Sequence, residues 1–190
     1  MTKTHLKIFT KIPTIKTERL ILRMIRVSDA EDCYEYAKDP LVSRYLLWEP
    51  HVSIHNTRYC LSFIERKYKR GEFYDWGIEY GGRLVGTVGF TSFDIYNNSG
   101  EIGYVLNSKL WRQGIATEAV EAVLDFGFRT LSLERIYARF IKENEASRRL
   151  LMRVGLSSEG ISRHAVLSKG EYRDVETYAI TSEEYFGKME

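Results

Sequence analysis

The chain lacks most of the features that mark a specialised class of protein. Its 190 residues include only two cysteines, Cys33 and Cys60, each in a helix-like segment and far apart in sequence. That usage indicates neither a disulfide framework nor a metal site, and a reducing cytoplasm is the expected compartment. No apolar run approaches the ~18–20 residues that span a bilayer. Met1 to Pro13 is polar and lysine-dotted, unlike a secretion leader. An excess of one charge is missing too: 28 Lys and Arg face 26 Asp and Glu, a net charge of +2. Such a balance provides no basic field for nucleic acid. There are three prolines, no internal repeat and no low-complexity segment. What remains, 44% hydrophobic and 28% charged residues, is the composition of a globular chain long enough to bury one core. Nothing in it distinguishes a monomer from a homodimer.

Patterning divides the chain into short alternating elements. Residues 1–16 read as an arm, in which Leu6, Ile8 and Ile12 can add an edge strand. Arg19 to Ile25 is a strand, and Ser28-x-x-Glu31 has the form of a capping box opening a helix to about Lys38. Asp39-Pro40 stops that helix, and Leu41 to Leu47 reads as another short one. Asn56 to Arg70 is a longer helix whose buried side is read as Tyr59, Cys60, Phe63, Ile64 and Lys67, with Gly71 ending it. Strands Tyr74–Tyr80 and Arg83–Phe93 are joined by Gly81-Gly82, the strongest hairpin signal in the chain. Later come a strand at Arg135–Ile141, a helix at Asn144–Val154, and strands near Ile161–Leu167 and Tyr172–Ile180 around a Lys169-Gly170 turn. This order is neither strict βαβ alternation nor separate blocks, so a mixed α/β sheet is indicated. One domain is expected over 17–182, with 183–190 as a tail.

Glu101 to Thr117 organises the rest. It begins as a strand, with Ile102, Tyr104 and Leu106 alternating. From Ala116 it becomes a helix start, with Ala119, Val120, Val123 and Gly127 on one face. Between them lies a polar loop ending in Gly114. Small residues at a helix start leave backbone N–H groups uncovered at the positive end of the helix dipole, an arrangement that binds phosphates. On this signal alone a plain strand-to-helix turn stays equally open. Neither a P-loop nor a Gly-x-Gly-x-x-Gly fingerprint is present. In the next helix Ser147, Leu150, Leu151 and Val154 form one stripe, so a hydroxyl occupies an apolar position and needs a partner. Asn144 is the expected N-cap. Either Ser147 bonds back to it or the hydroxyl serves a ligand.

Read together, E-I-G-Y-V-L, the loop W-R-Q-G-I-A-T-E-A, and N-E-A-S-R-R-L-L-M-R-V-G-L resemble the GCN5-related N-acetyltransferase (GNAT) superfamily. Thr17-Glu18-Arg19-Leu20, R-Y-L-L-W-E-P and the ending G-E-Y-R-D-V-E-T-Y-A-I resemble its ribosomal-protein N-terminal acetyltransferase (RimJ/RimL-type) branch. The similarity covers about Thr17 to Ile180. It implies a mostly antiparallel twisted sheet of about seven strands with about four helices and a V-shaped CoA cleft. It also implies acetyl-CoA as co-substrate, with no metal. Its pyrophosphate would lie on the backbone of Arg112, Gln113, Gly114, Ile115, Ala116 and Thr117, and its pantetheine along Tyr104, Val105 and Leu106, beside Asn144 and Ser147.

The chemistry follows from the reaction itself. An amine attacks a thioester only when neutral, which a terminal α-amine achieves far more readily at pH 7 than lysine does. A base must take the proton, N–H donors must meet the oxyanion, and the leaving thiolate needs a hydrogen bond. No covalent nucleophile is required, and neither cysteine lies in an activating motif. Ser147 is the candidate for the thiolate and Glu101 for the base. The branch's alternative glutamate falls near Val166, with His164 close by; Tyr104 and Tyr178 are further candidates. Tyr45, Trp48 and Glu49, in an aromatic, proline-bounded loop, are the expected acceptor residues, where one acidic side chain would suit a cationic amine. The acceptor is expected to be a primary amine, whether a protein N-terminus or a small molecule such as a polyamine or aminoglycoside. A non-catalytic CoA-binding module is the other reading.

Overall fold

The computed structural model describes residues 7–187. Eight strands form one sheet: β1 (Ile15–Lys16), β2 (Ile21–Arg23), β3 (Tyr74–Tyr80), β4 (Arg83–Asp94), β5 (Ser99–Leu106), β6 (Arg135–Ile141), β7 (Ser157–Ser168) and β8 (Glu171–Thr181). Their order is β1-β2-β3-β4-β5-β6-β8-β7, and every neighbouring pair is antiparallel except β5–β6. The helices are α1 (Ala30–Ala37), α2 (Pro40–Ser43), α3 (Ile54–Arg70), α4 (Ile115–Asp125), α5 (Glu145–Arg153) and α6 (Ser182–Gly187). This is the mixed, mostly antiparallel sheet that the sequence implies. None of these helices is long and apolar enough to cross a membrane.

Local chemistry explains the regular parts. Gly81 and Gly82 both take positive φ, 58° and 78°, the twist that a two-residue hairpin requires and glycine reaches without strain. The Ser53 side chain accepts from the Asn56 N–H at the start of α3, and Gly71 closes the helix at φ 67°. The core runs along both faces of the sheet, with Leu22, Trp76, Ile78, Val88, Val120, Val123, Ile136 and Leu151 essentially inaccessible.

Four expectations change. The arm does not contribute Ile8 to a strand. Lys7–Lys11 is a 3₁₀ turn that buries Phe9 edge-on against Tyr74 at 4.9 Å, and the edge strand is Ile15–Lys16; Leu6 lies outside the described residues. Ser28 caps no helix. Val27–Asp29 is a 3₁₀ turn, and the Asp29 carboxylate instead accepts from the Arg26 N–H and from the Arg23 guanidinium. The helix read over Leu41–Leu47 is the single turn α2, capped by Asp39. Finally, α3 is rotated from its expected face: Thr57, Leu61 and Tyr68 are buried, while Tyr59 and Phe63 are 70% and 49% exposed. The Tyr68 hydroxyl sets that rotation, donating to the Asp75 carbonyl at 2.6 Å and accepting from the Ile25 N–H.

Candidate active site

The parallel pair β5–β6 is short. Ser99, Gly100 and Glu101 face Arg135, Ile136 and Tyr137, and there the pairing ends. From Ile102 to Leu106, β5 remains bonded to β4 alone, so its other edge opens into a slot in the middle of the sheet. An unpaired strand edge accepts an extended, amide-bearing ligand as an added strand would be accepted. Thr91 is an extra residue in β4 opposite Ile102 and Glu101, and such a bulge bends and twists the pair where the slot begins. Side chains alternate along β5. Glu101, Gly103 and Val105 point to one face; Ile102, Tyr104 and Leu106 point to the other.

At one end of the slot lies the turn into α4. Arg112 and Gly114 both have positive φ, 63° and 78°, and Gly114 stands at the N-cap with no side chain to cover the helix end. The first backbone bond of α4 runs from the Glu118 N–H to the Gly114 carbonyl. Among the described residues the amides of Arg112, Gln113, Gly114, Ile115, Ala116 and Thr117 donate to no acceptor, so they fit an anion. A Cβ on Gly114 would meet only the Arg19 guanidinium, at 3.2 Å. A groove of about 500 Å³ opens beside them, lined by Gly114, Thr117, Arg19 and Arg153 together with the carboxylates of Glu18, Glu118 and Glu121.

The turn is held in place by a contact that sequence reasoning missed. Glu118 accepts from the Thr17 hydroxyl at 2.6 Å, the Arg19 amide at 2.9 Å and Arg19 Nε at 2.7 Å, while Arg19 Nη1 donates to the Gln113 carbonyl. Burial opposes ionisation of Glu118, but these donors outweigh it and keep the carboxyl below its ordinary value. The Thr17-Glu18-Arg19-Leu20 motif therefore docks the N-terminal segment onto the start of α4.

Asn144 caps α5, its Oδ1 accepting from the Ser147 N–H at 3.2 Å. The Ser147 hydroxyl faces the ring hydroxyl of Tyr104 on β5. That phenol is buried without a partner at hydrogen-bond geometry, and burial pushes it up to about 12, opposed by Ser147. Ser147 and Tyr104 thus belong to the face of β5 that carries the helices α4 and α5.

Glu101 lies on the opposite face. Arg139 of β6 donates to both of its oxygens at 2.9 Å, and the Ser92 hydroxyl donates to Oε2 at 3.3 Å. The expected pair, Glu101 and Ser147, therefore flanks the slot from two sides. Of the acceptor residues, Tyr45 joins Arg44, Ile141, Glu143, Ser168, Lys169 and Arg173 around a cavity of about 140 Å³. Trp48 packs on the core with its ring 5.7 Å from His51, and Glu49 is largely exposed, 3.9 Å from Lys169. His164 sits at φ 51° in an irregularity of β7 and stacks on Tyr172, Val166 pairs with Arg173 of β8, and Tyr178 is core.

Comparison with known proteins agrees with this geometry. Residues 19–157 match the family described as the acetyltransferase (GNAT) domain. An N-acetyltransferase of Bacillus licheniformis, p20, is 34% identical over 92% of this chain and 99% of its own length. The [ribosomal protein uS5]-alanine N-acetyltransferase of Escherichia coli is 25% identical over 93% of this chain and 95% of its own. The crystal structure of a GNAT-family acetyltransferase from Bacillus anthracis superposes with a TM-score of 0.79 at 31% identity, covering 90% of this chain and 99% of that one. An open strand edge leading to uncovered amides at a helix start suits a long thioester with a pyrophosphate at its far end, and this chain belongs to the GNAT family as an acetyl-CoA-dependent N-acetyltransferase.

Proposed function

We propose that the protein transfers the acetyl group directly to a primary amine, in the cytoplasm, and that the amine is the N-terminus of a protein rather than a polyamine. The cavity at Tyr45 carries this reading. It unites the expected loop with the β7–β8 hairpin, and its charged lining is Arg44, Lys169 and Arg173 against Glu143 alone. Glu49, expected to attract a cationic amine, does not line it. A polyamine carries several ammonium groups and would meet like charge there, whereas a peptide N-terminus brings carbonyl oxygens and acidic side chains. The similarity to an enzyme named for the alanine N-terminus of a ribosomal protein supports the same class.

Acetyl-CoA supplies an activated acyl carbon; the chain positions it and manages the protons. The amides of Arg112–Thr117 hold the pyrophosphate, and the β5 edge at Tyr104, Val105 and Leu106 aligns the pantetheine and offers N–H groups to the oxyanion. Ser147, backed by Tyr104, donates a hydrogen bond to the departing sulfur. Glu101, fixed by Arg139, lines the acceptor side of the slot. The test is CoA release across a panel of peptides with free N-termini, spermidine and an aminoglycoside. Peptides with small first residues and acidic followers should show the highest kcat/KM. Preference for spermidine would overturn the acceptor assignment and favour the small-molecule reading.

A further inference from the structure

Among the described residues Glu176 of β8, 7% exposed, is the one charged residue buried in the fold. Nothing so far uses it, and a buried carboxylate needs partners. Register places it. Glu176 faces Phe140 of β6, and Ile136, four residues earlier on β6, faces Gly100 of β5. Residues an even number apart share a face of a strand, so Glu176 lies on the face that carries Ile102 and Tyr104. That is the face of the helix α5, where the hydroxyls of Tyr104 and Ser147 meet.

Arg148 of α5 reaches down to this carboxylate. Its Nε and Nη2 donate to Glu176 Oε2 at 2.9 and 2.6 Å, and the Ser158 hydroxyl of β7 donates to Oε1 at 3.3 Å. Arg148 Nη2 also donates to the Lys142 carbonyl at 2.9 Å, and Nη1 to Glu145. One guanidinium therefore ties together β8, the loop before α5 and the first turn of α5. Little else holds that turn. Glu145 and Ala146 are exposed, and the apolar contacts of α5 are made by Leu150, Leu151 and Val154, later in the helix or at its end. Ser147 is the neighbour of Arg148 in the same turn, its amide capped by Asn144. Desolvation offsets most of the attraction within a buried ion pair, and apolar replacements are often as stable. What the planar guanidinium supplies is a fixed direction.

We propose that Arg148 and Glu176 are the positioning residues for Ser147: their ion pair sets the first turn of α5 so that the Ser147 hydroxyl meets the departing sulfur. Both act through the turn and not on the thioester. The inference rests on the role given to Ser147 above. A group displaced by about 1 Å can lose about a hundredfold in rate, so a small swing of this turn is enough to matter.

The test is the effect of Glu176→Gln on kcat in two backgrounds, measured as CoA release at saturating acetyl-CoA with the best amine of the acceptor panel. In the otherwise wild-type enzyme kcat should fall about tenfold. The Kd for acetyl-CoA, held chiefly by the Arg112–Thr117 turn, should stay nearly unchanged. In a Ser147→Ala background the same change should lower kcat by less than about twofold, because the hydroxyl it would misplace is already gone. Loss of stability is separable. The double change Arg148→Met with Glu176→Leu, an apolar swap of similar volume, should melt at or above the wild-type Tm and still turn over about tenfold more slowly. Wild-type turnover in that swap overturns the proposal. So does equal slowing by Glu176→Gln with and without Ser147, which would leave the pair a structural contact while Ser147 keeps its role. A Ser147→Ala enzyme as fast as wild type would instead overturn the Ser147 reading, and the proposal with it.

Discussion

Glu101 is the last residue of β5 to pair with β6, and Arg139, two residues beyond its partner Tyr137, takes both of its carboxylate oxygens at 2.9 Å. The ion pair thus bridges the two strands at the point where they begin to separate. Arg139 is 57% exposed in its side chain, so its contribution to stability is small, about 0.5–1 kcal/mol. Arg139→Ala should leave Tm nearly unchanged and raise the KM for the amine more than it lowers kcat. Steady-state kinetics with the amine varied at saturating acetyl-CoA checks this. An effect on acetyl-CoA binding alone would contradict it.

Ser147 and Tyr104 should act as a unit. Ser147→Ala is expected to lower kcat by 10–100-fold and Tyr104→Phe by less, with little change in acetyl-CoA affinity. Because the two hydroxyls face each other, the double variant should fall short of the product of the single effects. Calorimetric titration with acetyl-CoA separates binding from chemistry.

Gly114→Ala tests the phosphate end. At φ 78° an alanine is strained by about 1 kcal/mol, and its methyl stands at the mouth of the uncovered amides. The Kd for acetyl-CoA and for CoA should rise together, by tenfold or more, while kcat at saturation stays close to wild type. A kcat defect with normal affinity would move the pyrophosphate elsewhere.

Acid should loosen the N-terminal segment. The Glu118 carboxyl is depressed in the folded state by Thr17 and Arg19. Its stabilisation is therefore complete above the unfolded pKa, near 4.3, and is lost as pH falls through the lower folded value. Glu118→Gln should cost about 1 kcal/mol at pH 7, much less near pH 3, and should weaken acetyl-CoA binding by releasing the α4 start. Thermal melts from pH 3 to 7 measure both slopes.

The rotation of α3 gives a packing test. Leu61→Ala should cost about 2–4 kcal/mol, and Tyr68→Phe about 1–3 kcal/mol, because the buried Ile25 N–H and Asp75 carbonyl lose their partner. Tyr59→Ala and Phe63→Ala, on the exposed side, should each stay within about 0.5 kcal/mol. Denaturant midpoints decide it.

The sequence by itself determined what depends on neighbouring residues. Gly81-Gly82 specified the hairpin because only positive φ closes a two-residue turn. The alternation in Arg135–Ile141 marked β6 with the ends it has, and Asn144 was readable as a cap because a cap serves an amide three residues away. Gly114, at φ 78°, marked the turn into α4 for the same local reason. Tertiary structure alone decided which face of α3 is buried: two aromatic residues, Tyr59 and Phe63, outvoted Thr57 in the pattern, yet the Tyr68 hydroxyl had its partners on β2 and β3. It alone tied Thr17 and Arg19 to Glu118 and set Arg139 on Glu101, since an ion pair across distant segments leaves no periodic trace.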